Sequence, residues 1–399
     1  MYIDLFAGCG GLSLGLQKAG WNGLFAVEKN KDAFFTLQQN LIINREHFQW
    51  PNWLPQTNLD INILLKEYKD ELTRLRGQVQ LVVGGPPCQG FSMAGKRKGS
   101  DTRNHLYNSY IKFVEILEPE MLFFENVHGF TVGFKKKYKG KPTKGEPYSK
   151  KLIKRLKKLG YDVAHDVIIM SDYGVPQKRK RFILFATKNG NAKYFFERLS
   201  QNKTSFLLER GLEIPITVNE AIGDLEKRHG QIPSKDSPRF MNGVYGEITS
   251  AYQALMRNNV NENAVPDSHR FAKQKEETID LFERLMRVSN EAIRITPGME
   301  VVDGLKKRGI TPLKRGCVCP TITSIPDDFV HYSEPRIMTV RENARIQSFP
   351  DDYIFFGKYT TGGNRRKYEV PRYTQVANAV PPLFAEQVGL VLREMIGNE

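Results

Sequence analysis

A cysteine that directly follows two prolines at the end of an apolar run, as Cys88 does in LVVGGPPCQGFS (81–92), can be held rigidly at the edge of a sheet. Proline fixes φ and restricts the residue before it, so the thiol is presented in few conformations. A thiolate presented in this way can add to an electron-poor carbon and later leave, which is covalent catalysis. Most unpaired cysteines are small buried apolar groups, so Cys88 gains weight from its companions. In DLFAGCGGLSLG (4–15) glycines lie between an apolar run and a helical one, where they let a nucleotide-like ligand approach the backbone. Glu28 ends the next apolar run, 20 residues beyond Gly8, where a carboxylate can hold ribose hydroxyls. Asp60, in NLDIN, could hold an adenine amine in the same pocket. The dinucleotide pattern G-x-G-x-x-G is not met, because its third position counted from Gly8 and Gly10 is Ser13. Each feature alone has an ordinary explanation: a tight turn, a solvated glutamate, a wet surface.

These residues need a scaffold, and the first 187 residues supply the pattern of one. Short apolar runs at 2–6, 23–27, 80–84, 121–125, 163–169 and 181–186 alternate with helical stretches near 12–19, 31–41, 104–117 and 149–159. That alternation predicts an α/β unit with a parallel sheet and crossover helices. Leu106, Tyr110, Phe113, Val114 and Leu117 recur at helical spacing and should face the sheet. The lysine- and glycine-rich stretch 135–148 has little to bury and predicts a mobile loop. From about 188 the sequence is more polar and irregular, with a helix at 274–287, and this predicts a second, smaller domain. The tail predicts an amphipathic helix with Leu383, Phe384, Val388 and Val391 on one face.

Composition narrows the function classes. No apolar run approaches the roughly 20 residues of a membrane span, and the first residues lack a secretory pattern, so a cytoplasmic protein is expected. The four cysteines are too few for a disulfide framework in 399 residues. Cys317 and Cys319, even with His331, leave a zinc ion one ligand short, so no metal is expected. A net charge of +15 points to a polyanionic partner, and the basic residues gather in short patches such as QKRKR (177–181) and NRRK (364–367).

The order DLFAGCGG, GGPPCQGFS, FENV (124–127), QKRKRF (177–182), RENARIQSFPDDY (341–353) and QVANAVPP (375–382) resembles the DNA cytosine-5 methyltransferase family of prokaryotic restriction-modification systems. The resemblance implies a Rossmann-like core that uses S-adenosyl-L-methionine. Its catalytic and cofactor-binding residues would span 1–187, a target-recognition domain 188–335, and a return to the core 336–399. It also implies double-stranded DNA as partner, and either an orphan methylase or one with a cognate restriction endonuclease that acts on the same site without a stable complex. An RNA cytosine-5 methyltransferase on the same core is the alternative, and the long region before RENAR favours a duplex reader.

The resemblance assigns roles residue by residue. Cys88 adds to carbon 6 of a flipped-out cytosine and turns the ring into an enamine. Glu125 bonds ring nitrogen 3 and the exocyclic amine, Arg181 the carbonyl oxygen, and Arg179 the site and a nearby phosphate. The enamine then takes the sulfonium methyl, the carbon 5 proton leaves, and Cys88 departs. Around the cofactor, Phe6 stacks on adenine; Gly8, Gly10 and Gly11 give room; Glu28 holds ribose and Asp60 the amine; Pro86, Leu106 and Asn378 close the pocket. Ala377 departs from the family pattern, in which glycine precedes the asparagine. Gln89 and Ser92 are expected on a loop that closes over DNA, and Thr321, in CPTITS (319–324), at a DNA-backbone contact.

Overall fold

The computed structural model describes residues 1–87, 106–133, 135–138, 141–288, 291–299, 309–362, 365 and 368–397, the main chain alone for 135–138, 141–144 and 397. Cys88, Gln89 and Ser92 lie outside the described residues. The chain divides into two compact units: one of Met1–Ile169, Lys180–Lys203 and Ala385–Glu399, the other of Met170–Arg179 and Thr204–Phe384.

The first unit follows the predicted α/β pattern with one reversal of it. Its strands are β1 (Tyr2–Leu5), β2 (Gly23–Val27), β3 (Leu81–Gly84), β4 (Met121–Val127), β5 (Lys135–Tyr138), β6 (Lys141–Lys144), β7 (Asp162–Ile169) and β9 (Lys180–Thr187), while β8 (Gln177–Lys178) belongs to the second unit. Its helices include α1 (Gly11–Lys18), α2 (Lys31–Leu37), α3 (Ile61–Glu67), α4 (Lys69–Arg74), α5 (Leu106–Leu117) and α6 (Tyr148–Lys158). Six strands form one sheet in the order β2-β1-β3-β4-β9-β7. The pairs β1·β2, β1·β3 and β3·β4 are parallel, but β9 runs antiparallel to both β4 and β7. The sheet is therefore mostly parallel, with one strand inserted backwards. Apolar runs betray burial on both faces but carry no sign of strand direction, so periodicity could not reveal this reversal.

Ile3, Leu5, Phe25, Val82 and Phe124 of the strands pack with Tyr110, Phe113, Val114 and Leu117 of α5 in one buried core, as the helical spacing predicts. Leu106 stays partly exposed at its margin. The predicted loop over 135–148 is corrected: β5 and β6 form an antiparallel hairpin, with Lys135 opposite Lys144 and Tyr138 opposite Lys141, and α6 begins at Tyr148. Backbone amides and carbonyls pair even where side chains have nothing to bury.

The terminal helix, Pro382–Gly397, buries Leu383, Phe384, Val388 and Val391. Its portion within the first unit lies on α1. A methyl at Gly389 would stand 2.6 Å from the Ala19 Cβ, so only glycine allows this approach. Trp21 Nε1 donates to the Gly389 carbonyl at 2.8 Å. Among the described residues no helix is long and apolar enough to cross a membrane.

The second unit includes short helices, among them Val218–Ile222 and Val340–Ile346, and strands of two or three residues. Both helices start with a capping box, Thr217 with Glu220 and Thr339 with Glu342, which satisfies orphan amides at each N-terminus. By contacts, residues 170–179 and 336–384 group with 204–335.

Candidate active site

Register lines up the motif residues of the first unit. Leu5 pairs with Val27 and with Gly84, and Gly84 pairs with Phe124. The next residues, Phe6, Glu28, Gly85 and Glu125, therefore leave one carboxyl edge of four adjacent parallel strands, where open α/β sheets bind their ligands. Because β9 is reversed, its beginning reaches the same edge, and Arg181 pairs with Val127. Glu125 and Arg181 are diagonal neighbours on one face of β4·β9, and Arg181 Nε stands 2.9 Å from Glu125 Oε1. Both side chains are largely buried, at 11% and 15% exposure for Arg181 and Glu125, so this pair is shielded from solvent competition. Arg181 Nη1 also donates to the Lys180 carbonyl at 2.8 Å, which fixes the guanidinium plane.

The approach to Cys88 is anchored against the same pair of strands. A methyl at Gly85 would fall 2.0 Å from the Glu125 carbonyl oxygen, so the chain passes that backbone at a distance no other residue tolerates. Asn126 Nδ2 donates to the Pro86 carbonyl at 3.0 Å, and Pro86 itself is buried. Asn126 is the residue that reading by motif overlooked; a polar side chain that is 2% exposed inside an apolar strand is its signal.

At the neighbouring strand ends, Gly8 N–H donates to Glu28 Oε2 at 3.0 Å and Asn30 N–H to Oε1 at 2.6 Å. The carboxylate is thus fixed by main chain at the mouth of the glycine turn. Burial pushes its pKa up. Asp60 caps α3 through Asn62 N–H at 2.8 Å and pairs with Lys29 Nζ at 2.8 Å. Burial raises the Asp60 carboxyl, but Lys29 and the Asn62 amide outweigh that and hold it below the usual range. The Leu59 N–H donates to the Glu28 carbonyl at 2.8 Å, so the two carboxylate-bearing segments are joined. Phe6 is half-buried with a left-handed φ of 60°, Gly10 caps α1 and Gly11 begins it.

Beneath the turn lies Asp4, 1% exposed, which accepts from Ser13 Oγ at 2.6 Å. Burial lifts its carboxyl from the ordinary 3.8 to about 7. The folded chain therefore holds this proton more tightly than the unfolded chain. The stability it contributes is complete below the unfolded value and is lost as pH rises from about 4 to about 7, on the order of 4 kcal/mol in all. Asp4→Asn keeps a side chain of the same shape without the charge. Its melting temperature should fall less than the wild type's between pH 5 and 8; parallel profiles for the two proteins would show that Asp4 does not titrate there.

In the second unit Arg179 is 1% exposed, and its Nη2 donates to the carbonyls of Ala377 at 2.9 Å and Ala379 at 3.2 Å. These flank Asn378, the exposed last residue of the helix Arg372–Asn378. Gln347 Nε2 also donates to the Ala379 carbonyl, and Gln347 Oε1 accepts from Gln177 Nε2 at 2.7 Å. A guanidinium buried against main-chain carbonyls holds the chain on either side of Asn378. Thr321 Oγ1 donates to the Lys178 carbonyl at 2.9 Å, beside the pairing of Cys319–Pro320 with β8. Cys9 and Cys319 are buried, and burial pushes the Cys9 thiol up to about 12, which leaves it un-ionised.

Comparison with known proteins follows the same lines. The family model described as C-5 cytosine-specific DNA methylase matches residues 1–394. Type II methyltransferase M.DdeI of Desulfomicrobium norvegicum is 30% identical, over 96% of this chain and 86% of its own length. Type II methyltransferase M1.HphI of Haemophilus parahaemolyticus is 29% identical, over 100% and 88% respectively. Among solved structures, a candidate DNA modification methyltransferase encoded within a prophage (E. coli) superposes with a TM-score of 0.64 at 23% identity, covering 100% of this chain and 99% of that one. The Dnmt2 methyltransferase of S. pombe gives 0.54 at 13% identity, covering 99% and 98%.

Proposed function

Because the chain belongs to the C-5 cytosine-specific DNA methylase family and methylates carbon 5 of cytosine in DNA, we propose that it does so through Cys88, with Glu125 and Arg181 holding the flipped base. The observation that carries this reading is the convergence of three distant segments at one sheet edge: Gly85 and Pro86 against Glu125 and Asn126, and Glu125 against Arg181. In this reading Cys88 adds to carbon 6, and Glu125 bonds ring nitrogen 3 and the exocyclic amine as charge builds in the ring. Arg181 sets the orientation of that carboxylate and meets the ring carbonyl. Arg179 acts as a positioning residue for Asn378.

The methyl donor is S-adenosyl-L-methionine, which supplies an electrophilic sulfonium methyl. The turn suits it: among the described residues a methyl at Gly8 would meet nothing within 4 Å, beside the Glu28 carboxylate. Phe6 and Asp60 would take the adenine, Glu28 the ribose, and Gly10, Gly11, Pro86 and Leu106 the remaining wall. Gln89, Ser92 and Thr321 would face DNA. Residues 188–335 would read the sequence, since base-edge contacts carry specificity and this stretch has no chemistry to perform. The enzyme would work in the cytoplasm, alongside an endonuclease of the same site.

Glu28→Ala should weaken binding of S-adenosyl-L-methionine at least about tenfold, the loss of a charge-assisted hydrogen-bond acceptor, and change duplex affinity less than twofold. Separate titrations of the two ligands decide this. Equal losses, or a loss with DNA alone, would place the cofactor elsewhere.

A further inference from the structure

A recess of about 330 Å³ in the second unit is lined by Asp236, Ser237, Arg270, Lys358, Tyr359 and Arg372, together with neighbouring main chain. It is at the small end of ligand sites, roughly 300–1,000 Å³. Its charges are unequally matched. Arg372 pairs with Asp236 at 2.7 Å, and Lys358 pairs with Glu369 at 2.6 Å. Arg270 makes no ion pair among the described residues; its Nη1 donates to Ser237 Oγ at 3.1 Å, and its buried Nε has no hydrogen-bond partner.

The guanidinium is nonetheless held firmly. Its carbon lies 4.1 Å from the Phe240 ring centroid and 3.7 Å from that of Tyr359. The same Tyr359 ring carries Arg372 at 4.2 Å, and the Tyr359 hydroxyl donates to Asp236 at 3.2 Å. Two guanidiniums thus share one ring beside a single carboxylate, leaving one positive charge over. Aromatic faces orient arginine without using its N–H groups. What remains is a guanidinium held in place without a carboxylate partner among the described residues, on the wall of a polar recess, an arrangement that suits a tetrahedral oxyanion.

We propose that this recess binds a backbone phosphate of the substrate duplex, with Arg270 as its ligand. The proposal rests on DNA being the substrate. A phosphate held here adds affinity to every sequence alike, and fixes the register of the second unit on the duplex without reading a base.

The test measures duplex affinity of the full-length protein against salt concentration, for a methylatable duplex and an unrelated one. Arg270→Ala should weaken both about tenfold and lower the slope of log affinity against log salt by about one. Arg270→Lys should restore the slope. Methyl incorporation by the wild-type protein into the methylatable duplex is measured beside it, so a failed recess is distinguishable from a failed enzyme. Should Arg270→Ala not fold, duplexes carrying one uncharged methylphosphonate at successive positions keep the question open to measurement. One position should cost the wild type about tenfold and cost Arg270→Lys less. An unchanged salt slope in folded Arg270→Ala, or no sensitive position in the scan, would overturn the proposal. A loss confined to the methylatable duplex would overturn it in favour of base reading. Saturable binding of inorganic phosphate that Arg270→Ala abolishes, with duplex affinity intact, would assign the recess to free phosphate and equally overturn it.

Discussion

Cys88→Ser should reduce methyl transfer by at least about 10⁴-fold, the scale on which removal of a covalent nucleophile acts, while the duplex still binds. Carbon 5 of cytosine is a poor nucleophile, so the ring must first be converted into an enamine; among the described residues Cys9 and Cys319 are buried, and burial holds the Cys9 thiol un-ionised. The strand end that delivers residue 88 is fixed on both sides, by the contact of Gly84 with Leu5 and of Gly85 with Glu125, and by the Asn126 bond to Pro86. A hydroxyl presented there is far less ionised than a thiol and is a weaker nucleophile. Single-turnover methyl incorporation from labelled cofactor, beside a duplex titration, measures both halves. Turnover within about tenfold of the wild type would remove Cys88 from the mechanism.

How much of this was legible in the sequence depended on whether local pattern or long-range pairing decided it. The strands beginning at Tyr2, Gly23, Leu81 and Met121 are short apolar runs between helical patterns, and they lie where that pattern puts them. Glu28 and Glu125 follow such runs, so their place at the sheet edge could be read too. The reversal of β9 could not, because direction is set by which strand the chain returns beside. Nor could the opposite fates of Arg179 and Arg181, two residues apart in one basic run. One meets carbonyls at 377 and 379, the other Glu125, and neither partner is near in sequence. The charged run RENARIQSFPDDY looks like a surface, yet Arg341, Glu342 and Arg345 are fully buried. Charges are buried when partners satisfy them, and those partners lie partly in Asp224 and Arg336.

That buried run carries the largest expected effect on stability. Arg345 is 0% exposed and spends its fork on two carboxylates: Nε and Nη2 donate to Asp351 at 2.6 and 2.7 Å, while Nη1 and Nη2 donate to Asp224 at 3.1 Å each. Nη1 also meets the Ala221 carbonyl at 3.0 Å. Burial alone would raise the Asp351 carboxyl, but Arg345 outweighs it and holds it below its ordinary value. Arg345→Ala would leave two carboxylates buried with fewer partners. The expected cost is about 3–5 kcal/mol, the range for breaking a buried ion pair from one side, against a total stability of roughly 5–15 kcal/mol. Arg345→Lys retains the charge but cannot span both carboxylates, and should fall between. Urea denaturation followed by circular dichroism gives both values. A loss below about 1 kcal/mol for the alanine variant would mean that the network relaxes around the gap and does not hold the helix Val340–Ile346 in place.

The central claim, a covalent bond between this chain and its target base, is open to direct measurement with a duplex that carries 5-fluorocytosine at the methylated position. Fluorine cannot leave as a proton does, so the reaction should stop after methyl transfer with the enzyme still attached. Incubation with S-adenosyl-L-methionine, proteolysis and mass spectrometry should find the methylated fluorocytosine on the peptide containing Cys88, and none when Cys88→Ser is used. Recovery of the adduct on another residue, or methylation of the unfluorinated duplex with no adduct on the fluorinated one, would contradict the mechanism.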